Sequence, residues 1–125
     1  MKWITRANVK VDRVACPWLI LRFIDAQAEF LFVPEVKLNH RGERCTFEAL
    51  LEDYSLSDPA LHRLALIVCG ADVKGQEHLC CESLGLRAIA QGFAFSGISD
   101  EERLAKEFPL YDALYEYVRQ KPTEQ

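Results

Sequence analysis

Apolar positions along this chain follow two rhythms, one that suits strands and one that suits helices. The run "KWIT" near the start and "AEFLFVP" further on are short, β-branched or aromatic, and bounded by polar residues or proline, so they read as strands. Between them lies "VDRVACPWLILRFID", residues 11–25, whose Trp18, Leu19, Leu21, Phe23 and Ile24 give a broad apolar surface. A helix this greasy is expected to be mostly buried, with Pro17 tolerated in its first turn, where a missing N–H costs nothing. A polar loop with Gly42 as its turn residue follows. "TFEALLEDY" then spaces Phe47, Leu50, Leu51 and Tyr54 as one helical face behind Thr46 as cap.

The second half reads as helices throughout. Asp58 and Pro59 mark a helix start, and Gly70 marks its expected end. "HLCCESLGLRAIAQGFAFSG" is helical in pattern but loosened by Gly85 and Gly92. Ser99 and Glu102 make a capping box, and Pro109 is expected to begin a last helix with Leu110, Leu114, Tyr117 and Val118 as its buried stripe. The fold class expected is α+β, a single compact domain over residues 1–120, mostly helical with a small β-sheet near the N-terminal part. Residues 121–125 are expected to be a frayed tail.

Composition narrows the function classes. The chain has 125 residues, half of them hydrophobic, which allows one substantial core but not two. Its net charge of -4 argues against non-specific nucleic-acid binding, which needs a basic surface. No apolar run approaches the ~20 residues that span a bilayer, and the opening "MKWITRANVK" has no secretory core. A cytoplasmic location is therefore expected, with the five cysteines as reduced thiols.

Candidate chemistry gathers around two cationic stretches. Arg6 and Arg13 flank one predicted strand-to-helix turn, and His40, Arg41 and Arg44 lie together in the polar loop. A tetrahedral oxyanion suits such donors, because guanidinium forks match its oxygens and first-turn N–H groups add positive partial charge. The competing reading pairs Arg13 with Asp12 or Asp25 and leaves the loop arginines solvated. Asp12 is expected to cap the helix and orient Arg13. Cys16, near a helix start beside Arg13, and Cys45, directly after the basic loop, are either reactive thiols or small core residues. His40, Glu48 and Asp72, with Glu77 and His78 nearby, could supply a carboxylate-and-imidazole metal site, although no metal-ligand spacing stands out.

The stretches "WITR", "VDRVACPWLILRFID", "FLFVP", "HRGERCTFEALLEDY" and "LYDALYEYVR" together resemble the chromate-resistance domain at the C-terminal end of ChrB-type proteins. The resemblance runs from Trp3 to Arg119. It implies sensing or handling of chromate, beside an efflux transporter, with Arg6, Arg13 and His40 in the oxyanion site. It also implies a possible divalent cofactor such as manganese, for which His40, Glu48 and Asp72 are the ligand set. Larger members of the family are chromate-responsive regulators with an additional N-terminal region, which this chain is expected to lack, and its connection from "FLFVP" to "NHRG" is shorter than theirs. The partner expected is thus a small oxyanion, with no membrane and no nucleic acid bound directly by this chain, and with a homodimer left open. Two other classes stay in play: a small metal-dependent oxidoreductase acting on chromate or reactive oxygen species, and a partner-binding domain presenting Tyr111 and Tyr115 on its last helix.

Overall fold

A computed structural model describes residues 2–6, 11–33, 46–72 and 81–121. Strand β1 (Lys2–Arg6) and strand β2 (Glu29–Val33) pair in parallel, with Trp3 opposite Phe30 and Arg6 opposite Val33. Parallel neighbours cannot be joined by a tight turn and need a crossover. Helix α1 (Val11–Leu19), prolonged by a π-helical turn at Ile20–Ile24, supplies it. The helices that follow are α2 (Thr46–Asp53), α3 (Pro59–Asp72), α4 (Glu82–Ser96) and α5 (Asp100–Gln120). The described chain is mostly helical, and its sheet is a two-stranded strip rather than a layer.

Helix α1 is the centre of the packing. Val11, Val14, Ala15, Cys16, Trp18, Leu19 and Ile20 are all buried, so the helix is covered on every side, as its near-continuous apolar run requires. It packs against α2, α3 and α5, while α4 lies along α3. Phe47, Leu51, Leu61, Leu64 and Val68 complete a contiguous core. None of the described helices is long and apolar enough to cross a membrane.

Several boundaries differ from the sequence expectations, each for a local reason. Pro17 is not in the first turn: α1 starts at Val11, so the proline lies inside it and leaves the Arg13 carbonyl without its helical donor. The helix then widens, with the Asp25 N–H reaching back five residues to the Ile20 carbonyl at 2.7 Å. Pro109 likewise does not begin a helix. Helix α5 runs through it, because Ala105 and Pro109 both face solvent and the carbonyl freed by the proline is not buried.

The buried face of α5 is also turned from the expected one. Phe108, Tyr111 and Val118 are buried, whereas Leu110 and Tyr117 are exposed. Tyr111 is therefore core and not a contact surface, and its hydroxyl donates to the Val11 carbonyl at 3.3 Å. Gly70 does not end α3, which continues to Asp72. The caps fare better: the Asp58 carboxylate accepts the Ala60 N–H at 2.9 Å, and Ser99 Oγ accepts the Glu102 N–H at 3.1 Å. Cys16 and Cys81 are in no disulfide, but Cys69 is disulfide-bonded, against the expectation of five reduced cysteines. Its partner lies outside the described residues. Composition counts thiols, whereas folding decides which of them meet.

Helix α2 ends in a Schellman arrangement. The Leu56 N–H reaches the Leu51 carbonyl at 2.9 Å and the Ser55 N–H reaches the Glu52 carbonyl at 3.2 Å. This puts Ser55 in the left-handed region, φ 55°, where a Cβ is penalised by roughly 1–2 kcal/mol and glycine is not. Ser55→Gly is expected to raise stability by about 0.5–1 kcal/mol, after the entropy cost of glycine is counted. A thermal melt checks this, and a fall in Tm would show that the serine hydroxyl is worth more than the strain.

Candidate functional site

The candidate site lies where the sheet hands over to α1. Arg6 ends β1 in register with Val33 at the end of β2, so both strands release the chain at their shared carboxyl edge. Ligand crevices in parallel sheets form at that edge. The described chain resumes at Val11, and Asp12 and Arg13 occupy the first turn of α1, where backbone N–H groups lack helical partners and favour an anion. Asp12 is inside the helix rather than ahead of it. Its place is therefore a first-turn acid, favourable to the helix dipole, and not the cap expected from sequence.

The side chains of Arg6, Asp12, Arg13 and Asp72 lie outside the described residues, as do His40, Arg41, Arg44 and Cys45 altogether. By backbone position, Arg6 and Arg13 belong to one strand-to-helix connection, and the stretch bearing His40 and Arg41 leaves from the neighbouring strand end. Cys16 is 7% exposed and belongs to the core cluster on α1. Glu48 is exposed in the first turn of α2, while Asp72 ends α3. Among the described residues no three His, Cys, Asp or Glu side chains come together as a metal site.

Two polar networks fix α1 and its surroundings. The indole of Trp18 donates from Nε1 to Asp112 at 2.8 Å, and Arg22 grips the same carboxylate with Nε and a terminal nitrogen, both at 2.9 Å. The Arg22 hydrogen bonds hold the Asp112 carboxyl below the usual carboxylate range, with Trp18 adding to them. On the sheet side, Trp3 Nε1 donates to Asp25 at 3.1 Å, and the Gln27 N–H donates to the other oxygen at the same distance. A further connection runs from α5 to α3. Tyr115 donates its hydroxyl to Asp58, whose carboxyl is held low by that bond, while burial and then Asp58 push the phenol up to about 12. Tyr115 is thus a half-buried clamp and not a free contact residue.

A cleft of about 590 Å³ opens between α2 and α3, lined by Glu48, Glu52, Ser55, His62 and the apolar Leu51, Leu56 and Ala65. Because the Leu56 carbonyl can only accept, His62 must donate Nε2–H to it at 2.8 Å, which leaves Nδ1 as the acceptor in the neutral ring. Sequence reading gave His62 no role and missed Asp112. Asp112 carries a faint signal, an acid set between Tyr111 and Leu114, two residues of α5 that face the core. His62 carries none, since its partner is a backbone carbonyl at a helix end.

A family model described as the ChrB C-terminal domain matches residues 3–118. The chain belongs to that family. Protein ChrB of Cupriavidus metallidurans is 34% identical to it over 130 residues, covering 91% of this chain and 40% of that protein. This ChrB C-terminal domain thus spans about two-fifths of the length of that relative. No solved structure matches the chain. The match takes in nearly all of the stretches on which the sequence resemblance rests, including β1 from Trp3 onward, the whole of α1 and α2, and most of α5.

Proposed function

We propose that this chain binds a tetrahedral oxyanion, chromate, at the carboxyl edge of its sheet as part of a chromate-resistance response. Arg6 and Arg13 grip the anion, the first turn of α1 adds N–H donors, and His40 and Arg41 close over it. The observation that carries the reading is the placing of two arginines on either side of one strand-to-helix connection, Arg6 at the last residue of β1 and Arg13 in the first turn of α1, in a ChrB-type domain. A dianion is recognised by fixed charge, fork-shaped donors and helix-start N–H groups, and the two arginine positions beside the start of α1 support that reading. Binding is electrostatic and involves no bond making. Cys16 takes no part, because its thiol is buried in the core cluster.

Calorimetric titration of chromate into the full chain, with sulfate as control, tests this. Chromate is expected to bind, and Arg13→Ala to weaken it about 10- to 100-fold, the worth of one or two charge-assisted hydrogen bonds at roughly 1.5–3 kcal/mol. Circular dichroism shows whether the variant keeps its helices. A folded wild-type chain that gives no heat with either anion would overturn the proposal, and so would unchanged affinity in the variant.

A further inference from the structure

We propose that two copies of this chain pair, antiparallel, through the outer face of α4. The inner face of that helix is fully employed. Ser83, Leu86 and Ala90 are buried, Ser83 Oγ donates to the Ile67 carbonyl at 2.8 Å, and Arg87 Nε donates to the Ala71 carbonyl at 2.9 Å. The outer face carries Leu84, Gly85, Ala88, Ile89, Gly92 and Phe95, all exposed, with Phe95 exposed by 80%. Solitary exposed apolar residues need no explanation, but a helix-long apolar strip does.

The glycines point outward for their reason. Glycine is the poorest helix former after proline, and both Gly85 and Gly92 sit in the interior of α4. Among the described residues a Cβ added at either would meet nothing within 4 Å, so no described neighbour requires them. What a glycine on an exposed helix face permits is the close approach of another backbone.

Charge and order select a second copy as that neighbour. From Ser83 to Ser96 the only charged residue is Arg87, and its guanidinium is turned onto the α3 carbonyls. An acidic or basic partner would find no counter-charge on this face, whereas an identical uncharged face pays no repulsion despite the net charge of -4 on each chain. A two-fold axis at the level of Ala90 pairs positions equidistant from it. Phe95 then meets Gly85, Leu84 meets Ser96, and Ala88 meets Gly92, a large residue against a small one or two small ones together. This is the self-complementarity an isologous contact needs. A helix of this length is roughly 22 Å long, so each copy buries only a few hundred Å², below the ~800 Å² per partner of a standard interface. The dimer is therefore weak and concentration-dependent.

Sedimentation equilibrium on the full chain, from about 10 μM to 1 mM, reads the association against the tens-to-hundreds of micromolar Kd that such an area supports. A Cys81→Ser background keeps the exposed thiol from cross-linking copies. The wild-type face is expected to show a monomer–dimer equilibrium. Phe95→Glu is expected to weaken it at least tenfold while leaving Tm unchanged. Gly92→Leu is expected to abolish it while raising the Tm of the monomer, since leucine is the better helix former. A wild type that stays monomeric to 1 mM overturns the proposal. So does a dimer that survives both substitutions, or a monomer that co-sediments with phosphatidylcholine vesicles through Phe95.

Discussion

Trp18→Ala is expected to cost about 3–5 kcal/mol, the range for removing a fully buried aromatic side chain. Trp18 is 1% exposed and is the largest side chain in the core. Its ring meets Phe23 at 5.7 Å, Tyr115 at 5.8 Å and Tyr111 at 6.1 Å between centroids, so one residue joins α1, the π-helical turn and α5. The indole N–H adds a second, smaller contribution through Asp112. Trp18→Phe separates the two in part, because it keeps an aromatic ring but loses the donor and some of the indole's bulk. Asp112 retains Arg22 and is half exposed, so the donor's share is about 0.5–1.5 kcal/mol. The smaller ring adds a cavity cost, with the total still below that of Trp18→Ala. Chemical denaturation of both variants checks the pair of values. Equal losses would mean that the hydrogen bond, not ring packing, anchors α1. Because α1 carries Arg13 in its first turn, chromate affinity in Trp18→Phe should fall only by the fraction of chain unfolded.

The elements that read most clearly from sequence are those marked by a local chemical signal. Both strands appear where short apolar runs are bounded by polar residues, and α3 starts at the Asp58–Pro59 pair. Ser99 caps α5 as its capping box implies. What stayed illegible depends on surroundings. Pro109 looks like a helix start until its solvent-facing position shows that the broken hydrogen bond is harmless there. Gly70 looks like a stop, yet it is buried inside α3, where close packing offsets its poor propensity. Hydrophobicity marks Leu110, Leu114, Tyr117 and Val118 as the buried stripe of α5. The fold buries Val118 and packs Leu114 against the core, but it exposes Leu110 and Tyr117 and buries Tyr111 and Glu107 instead. The candidate site follows the same division. Arg6 and Arg13 stand out as candidates because arginines beside a strand-to-helix turn are a chemical signal. The parallel register that sets Arg6 beside the second strand end could not be seen, since pairing partners leave no trace in local sequence.

Glu107 and Arg103 give the other large effect, and hydropathy conceals it entirely. Both are buried, at 0% and 4% exposure, one helical turn apart on α5. Arg103 Nε stands 3.4 Å from Glu107 Oε2, and a terminal nitrogen of Arg103 donates to the Ala90 carbonyl at 3.2 Å, which ties α5 to α4. Glu107 Oε1 has no hydrogen-bond partner among the described residues. Burial pushes the Glu107 carboxyl above its ordinary 4.5, and Arg103 opposes the rise only in part. Arg103→Met leaves that charge alone in the core, and the expected loss at neutral pH is about 3–5 kcal/mol. The sign of the pH dependence follows from the raised pKa. The folded chain holds the Glu107 proton more tightly than the unfolded one, so this group's stabilisation is complete below about pH 4.5 and is lost as pH rises through its folded value. Removing Arg103 removes the opposing charge, moves the folded value further up and extends that loss to higher pH. The deficit of Arg103→Met relative to wild type should therefore be small near pH 4.5 and grow toward pH 8, as read by denaturant titration at several pH values. Pairing the change with Glu107→Leu removes the stranded charge and should recover most of the loss, because a buried ion pair is often matched by apolar side chains of similar volume. A deficit that stays flat with pH, or a double variant no better than Arg103→Met, would make Arg103 a packing residue whose charge does not matter.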